Sequence, residues 1–164
     1  MIKAIDSLTD ADPYFAGSVG FVGASLTDLH ADMMKLELPA TVPANIGRVH
    51  DAVRHAYLYS YYSYDLLTLA AAEAFPCLEF ALRERLGGLG VPITNSKSGR
   101  PLMLSDLLKL AKTHNLIGSE IDYIAPMRNM FAHGSGAILN PPMVLTTLQL
   151  VTLLIAEMFS SAAP

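Results

Sequence analysis

Apolar residues recur at three- and four-residue steps over most of this chain, and that period predicts helices. The first such run is Leu26, Leu29, Met33 and Leu36, closed by Pro39 and Pro43. Ahead of it, Asp12-Pro13 and the glycines at 17, 20 and 23 interrupt regular structure. Residues 1–45 therefore read as an irregular arm containing one helix. A long apolar period follows, from about Ile46 to Leu86. Leu58, Tyr62, Leu66 and Leu69 share one face of it, and Leu78, Leu82 and Leu86 continue the period. Pro76 falls inside and predicts a kink or division there. Gly87-Gly88 predicts the end, with Arg83 and Arg85 in the last turn, where cations are favoured.

Residues 87–101 form a loop rich in Gly, Pro, Ser, Thr and Asn. A shorter helix is predicted from about Leu104 to Thr113, burying Leu104, Leu107, Leu108 and Ala111 and ended by Asn115 and Gly118. Ser119 and Asp122 have the spacing of a capping box and predict another helix start, with Gly134 as its stop. Asn140-Pro141 predicts the start of a last helix running to about Ser160. The sequence shows no strand pattern, internal repeat or low-complexity tract. The expected fold is all-α: an antiparallel four- to five-helix bundle over residues 46–164, preceded by the arm.

Composition adds to this picture. Apolar residues make up 52% of the 164 and charged residues only 16%, against roughly 25% charged in an average soluble domain. One domain with a full core is expected, with apolar surface left over for a partner, so the chain is expected to form a homo-oligomer. Met143–Phe159 is about the minimum length of a membrane span. It contains Gln149 and Glu157 and lacks basic flanks, so a buried helix is predicted and no membrane association. The N-terminus, with one lysine and scattered aspartates, is unlike a signal peptide. Cys77 is the only cysteine, which leaves no internal disulfide and no thiolate metal site, and makes the cytoplasm the default compartment.

The net charge of −4 is uneven. Residues 1–45 hold six acids and two bases; residues 46–164 hold nine of each. Within the latter, Arg83, Arg85, Lys97, Arg100, Lys109 and Lys112 face only Glu84 and Asp106 between 83 and 112. An acidic chain argues against broad nucleic-acid binding, yet Lys97 and Arg100 in this basic segment can guide a phosphate chain. The alternative is a solvated loop with helix-end arginines set against the dipole.

The densest chemistry is Arg128-Asn129-Met130-Phe131-Ala132-His133, followed by Gly134. On a helical wheel of about 100° per residue, Tyr123, Ile124, Met127, Met130 and Phe131 form the core arc. Arg128, Ala132, Ala125, Asn129 and His133 form the opposite one. Arg128 and His133 lie about 7.5 Å apart along the axis, flanking a groove that small alanines keep open to another helix or a second copy. Histidine moves protons near neutral pH, and arginine holds phosphate in two-point contact. The combination suits RNA cleavage: His133 exchanging protons with the ribose 2′-hydroxyl or the leaving oxygen, Arg128 stabilising phosphate charge, Asn129 orienting. One histidine cannot easily be both base and acid, but two copies across a dimer axis can divide the roles. The structural alternative is a helix-end histidine held by the dipole, with Asn129 bonding it and Arg128 in an ion pair.

The Arg-Asn-x-x-x-His motif near the end of a penultimate helix resembles that of HEPN domains (higher eukaryotes and prokaryotes nucleotide-binding). Leu78-Glu79-Phe80-Ala81-Leu82-Arg83-Glu84-Arg85-Leu86 is similar to the long early helix of bacterial HEPN-like proteins. The resemblance covers roughly residues 46–160. It implies a helical bundle, commonly dimeric, and in many members a metal-independent endoribonuclease whose active-site pair matches Arg128 and His133, with Asn129 as polar companion. The family also includes modules that only bind nucleotides or proteins. Two departures stand out: Pro126 predicts a bend in the motif helix, and Ser135 stands where one toxin branch carries tyrosine.

Other groups carry two readings each. Tyr57, Tyr61 and Tyr64 share a face and either stack on bases or line a core or dimer interface. His50, Arg54, Tyr57 and Tyr61 form a stripe that either lines the groove facing the motif helix, with Arg54, Tyr57 and Tyr61 binding substrate, or serves packing. His50, His55 and His114 lack a completing carboxylate, so no metal site is expected, and no cofactor motif is present. Glu73 and Glu79 are expected to pair with arginines.

Overall fold

The computed structural model describes residues 2–17, 23–132 and 139–160, with the side chains of 125 and 130–132 outside the description. Among the described residues the protein is all-α. A short 3₁₀ turn at Ile5–Ser7 precedes six helices: α1 (Leu26–Met34), α2 (Ala44–Tyr59), α3 (Leu66–Gly88), α4 (Leu104–Thr113), α5 (Ile124–Ala132) and α6 (Pro141–Ser160).

The longest helix, α3, is the one the others gather on. It packs most extensively against α2 and α6, and also against α4 and α5, while α1 rests on α2. Its sequence explains this. Ala70, Ala71, Ala74, Phe75, Cys77, Leu78, Ala81, Leu82 and Leu86 are all buried. The alanines let neighbouring backbones come close, and the leucines and Phe75 fill the spaces beside them. Pro76 does not divide the helix, which runs unbroken through it. It is exposed, so the bond its missing N–H would have made is lost on the solvent side of the helix.

The division falls instead at residues 60–65, where the sequence has neither proline nor glycine. The face expected to run through Leu58, Tyr62, Leu66 and Leu69 is broken, and Leu69 is left 54% exposed. The cause lies far back in the chain. Asp12 donates its N–H to the Tyr61 carbonyl, and its carboxylate accepts from the Tyr64 and Tyr14 N–H groups. Tyr14 stacks on Tyr64 with centroids 4.4 Å apart, and Phe15 packs against both Tyr61 and Tyr64. The Tyr64 hydroxyl then donates to the Leu139 carbonyl, 2.7 Å away, just before α6. Burial pushes its ionisation upward. The arm thus holds the α2–α3 elbow, and Phe15, Leu29, Met33, Leu36 and Val42 join the same buried cluster as the later helices.

Helix ends follow local chemistry where nothing competes. Ser25 and Asp28 close a capping box on α1, and the Asn140 side chain accepts from the Met143 N–H at the start of α6. Asn115 ends α4 in the left-handed region at φ 56°. The Leu116 N–H reaches back to the Ala111 carbonyl and the Asn115 N–H to Lys112, a Schellman arrangement. α3 ends at Gly88, within the predicted Gly87-Gly88, and the left-handed residue that follows is Gly90, at φ 72°. The Ser119–Asp122 box does not form. The Gly118 and Ser119 N–H groups and the Ser119 hydroxyl all donate to Glu157 of α6, and α5 begins only at Ile124. Pro126 therefore sits in the first turn, where no intrahelical donor is needed.

By length and composition α6 is apolar enough to cross a membrane. In this fold it gives Val144, Leu148, Val151, Leu154, Ile155 and Met158 to the core.

Asp12→Ala is expected to lower the unfolding free energy by about 1–3 kcal/mol, the cost of leaving partly buried donors without an acceptor. Asp10→Ala, at a neighbouring exposed site, should change it by less than about 0.5 kcal/mol. Urea denaturation compares the two, and equal effects would show that Asp12 does not hold the elbow.

Candidate functional site

The motif helix presents its inner face as predicted at Ile124, which is fully buried, and at Met127, which is half-buried and accepts a long bond from the Thr147 hydroxyl of α6. Tyr123 departs from the expected core arc: it precedes the helix and is 45% exposed. The other members of that arc, Met130 and Phe131, have side chains outside the description, as do Ala125 and Ala132. His133 and Gly134 lie outside the described residues. Arg128 is half-buried and Asn129 exposed.

Arg128 meets α3. It lines a recess with Pro76, Glu79, Phe80 and Arg83, residues spaced at three- and four-residue steps along one face of that helix. Arg83 Nη2 and Nε donate to Glu79 Oε1 at 2.6 and 3.2 Å, and Nη2 also donates to the Leu102 carbonyl at 2.6 Å. The expected pairing of Glu79 with an arginine is thus made. For Glu73, an exposed residue, no ion pair is seen among the described residues. Arg83 is not in the last turn of α3. Arg85 is, and its guanidinium lies over the Phe159 ring, 5.6 Å from the centroid. Among the described residues no carboxylate pairs with the Arg128 guanidinium.

The bond from Arg83 to Leu102 anchors the loop that carries Lys97 and Arg100. The stem of that loop is a single antiparallel bridge between Thr94 and Pro101. Its tip is organised by Asn95, whose side chain accepts from the Lys97 and Ser98 N–H groups, with Gly99 at φ 66° completing the turn. Lys97 and Arg100 are exposed.

The α2 stripe does not line a groove facing the motif helix. Arg54 Nε and Nη2 donate to the Met33 carbonyl, and Nη1 pairs with Asp51 at 2.7 Å. Arg54 is a tie between α2 and α1, leaving little of its fork for a phosphate. Tyr57 is 1% exposed. Burial first, and then the Asp32 carboxylate that accepts from its hydroxyl, push its ionisation far upward, and a ring so enclosed cannot stack on a base. Tyr61 is half-buried, held between Phe15 and Tyr62. These three expected substrate contacts are therefore structural. His50 is buried against α6: Thr152 Oγ1 donates to the Leu148 carbonyl, so its lone pair takes the His50 Nε2 proton across 2.8 Å. Among the described residues no three His, Cys, Asp or Glu side chains gather as a ligand set. Cys77 is buried in α3, and burial pushes its thiol up to about 12.

Comparison with known protein families, characterised proteins and solved structures finds no match to this chain.

Sequence reasoning placed Arg128 and Asn129 on the outer face, but it missed the α3 wall of the recess. The signal was present in the spacing of Pro76, Glu79, Phe80 and Arg83. What obscured it was reading Pro76 as a break and Arg83 as a helix-end charge.

The ionisation of His50 is lowered from 6.5 to about 4, by burial first and the Arg54 charge second, against a smaller opposing pull from Asp51. The folded chain keeps His50 neutral while the unfolded chain protonates it. This contribution to stability is present above pH 6.5 and is lost as pH falls towards 4. His50→Gln should flatten that part of the unfolding-free-energy profile by on the order of 3 kcal/mol. An unchanged slope in urea melts across this window would assign the acid sensitivity to other groups.

Proposed function

We propose that this chain is a HEPN-like antiparallel helical bundle acting as a metal-independent endoribonuclease or RNA-processing module, with a composite site at a homodimer groove. One observation carries the reading: Arg128, unpaired by acids among the described residues, stands at the mouth of a recess, followed by exposed Asn129 on the outer face of α5. A guanidinium that merely stabilised the fold would be expected in an ion pair, as Arg54 and Arg83 are. His133 follows Arg128 by five residues in the sequence.

In the proposed reaction His133 of one protomer takes the proton from a ribose 2′-hydroxyl. The 2′-oxygen attacks the adjacent phosphorus, and the 5′-oxygen leaves with a proton from the second copy of His133. The products are a 2′,3′-cyclic phosphate and a 5′-hydroxyl. Arg128 holds the phosphate and offsets the charge growing on its oxygens, while Asn129 orients the histidine or the substrate. Lys97 and Arg100, on a loop anchored at Arg83, guide the flanking backbone. The outer stripe of α6, with Met143 and Leu153 at 42% and 50% exposure and no charge between them, is the surface offered to the second copy.

A non-catalytic interaction module is the second reading. It draws on an apolar groove between α1 and α2, lined by Leu26, Thr27, His30, Leu58, Tyr59 and Tyr62.

Purified protein incubated with mixed RNA in excess EDTA should produce cyclic-phosphate ends. Arg128→Ala and His133→Ala should each lower the rate by at least about a hundredfold, with melting temperatures within a few degrees of wild type. Cleavage that persists in both variants would remove the assignment, and absence of cleavage by wild type would favour the interaction module.

A further inference from the structure

We propose that the recess between α3 and α5 is a subsite for one unpaired guanine base, seated beside the phosphate held by Arg128. The inference rests on the RNA-directed reading above and adds base selectivity to it. The recess is open to solvent and offers about 270 Å³, room for a base to lie against its wall.

Its polar edge is already fixed. Glu79 Oε1 accepts from Arg83 Nε and Nη2, and the Leu102 carbonyl takes a further Nη2 proton. The carboxylate and the guanidinium hold each other still, while Glu79 Oε2 and Arg83 Nη1 have no partner among the described residues. The recess thus offers one acceptor next to one donor group, with Arg128 adding donors from the other side. The Phe80 ring and Pro76 supply apolar surface against which a base can stack.

Guanine matches this pattern best. Its N1–H donates to the one free carboxylate oxygen, and its O6 and N7, next along the same edge, accept from the Arg83 and Arg128 guanidinium groups. Adenine sets its one donor, the N6 amino group, between the acceptors N1 and N7, so a base bonded to Glu79 can offer only one of them to the guanidinium side. Uracil has no second acceptor next to O4, and cytosine, whose N4 amino group, N3 and O2 follow the same donor–acceptor–acceptor order, covers less of the Phe80 ring than a purine does.

The test uses full-length His133→Ala protein, so that RNA is bound without being cut. Fluorescence anisotropy compares labelled uridine hexamers carrying one central guanosine or one central adenosine. The guanosine oligomer should bind on the order of tenfold more tightly. Glu79→Gln, which puts an amide where the base donates, should abolish that preference, and Phe80→Ala should weaken both oligomers alike. Circular dichroism melts establish that the variants are folded. Equal binding of the two oligomers, a preference that survives Glu79→Gln, or binding of neither overturns the subsite. Cleavage that requires His133 but ignores base identity would leave the ribonuclease reading standing and also overturn it. A Glu79-dependent guanosine preference without any cleavage would leave the subsite standing and overturn the ribonuclease reading.

Discussion

Burial of α3 on several sides is the constraint from which most of the architecture follows. A helix that places Ala70, Ala71, Ala74, Phe75, Cys77, Leu78, Ala81, Leu82 and Leu86 out of water has only a narrow strip left for solvent. Its neighbours must cover it from different directions, so α2, α4, α5 and α6 all find their places by packing on it. Large-to-small changes in such a core each cost about 2–5 kcal/mol, a large share of the stability of a single domain. The strip that remains carries Pro76, Glu79, Phe80 and Arg83. The recess beside Arg128 is thus what the close packing of α3 leaves uncovered.

The same constraint explains the role of the arm. A continuous helix through residues 46–88 would carry α2 away from α3 instead of folding back on it. The turn at 60–65 leaves backbone groups without helical partners, and Asp12 meets one of each kind from the arm: its carboxylate accepts from the Tyr64 N–H and its own N–H donates to the Tyr61 carbonyl. Aromatic contacts from Tyr14 and Phe15 then seal the elbow. Sequence-distant polar groups determine where a helix stops, and the same holds at the other end of the fold. Glu157 takes the donors of Gly118 and Ser119 and delays the start of α5, which leaves Arg128 on its first two turns.

Polar groups fall into two sets by environment. His50, Arg54 and Tyr57 are enclosed, each bonded to a group on a neighbouring helix, and their ionisation or donor capacity is consumed in holding the fold. Arg128, Asn129, Lys97 and Arg100 face outward or lie at the edge of a recess. Residue type does not separate the sets, since each contains an arginine beside a hydroxyl or amide.

The sequence alone determined the helical class, the limits of α4 and α6, the helix around Leu26–Met33 and the outward face of Arg128 and Asn129. These follow from local physics: the 3.6-residue period, the N-cap preference of Asn140 and the left-handed tolerance of Asn115 act within a few residues. Tertiary structure decided what depends on groups far apart in the chain. Ser25–Asp28 and Ser119–Asp122 share one spacing, yet only the first closes a capping box, because Glu157 reaches the second. The tyrosine stripe became core and the unbroken α2–α3 period became an elbow, because α6 and the arm arrive there. Glu79 and Arg83 became the wall of a recess because α5 places Arg128 opposite them. Those outcomes depend on which helices meet, and a one-dimensional period carries no record of that.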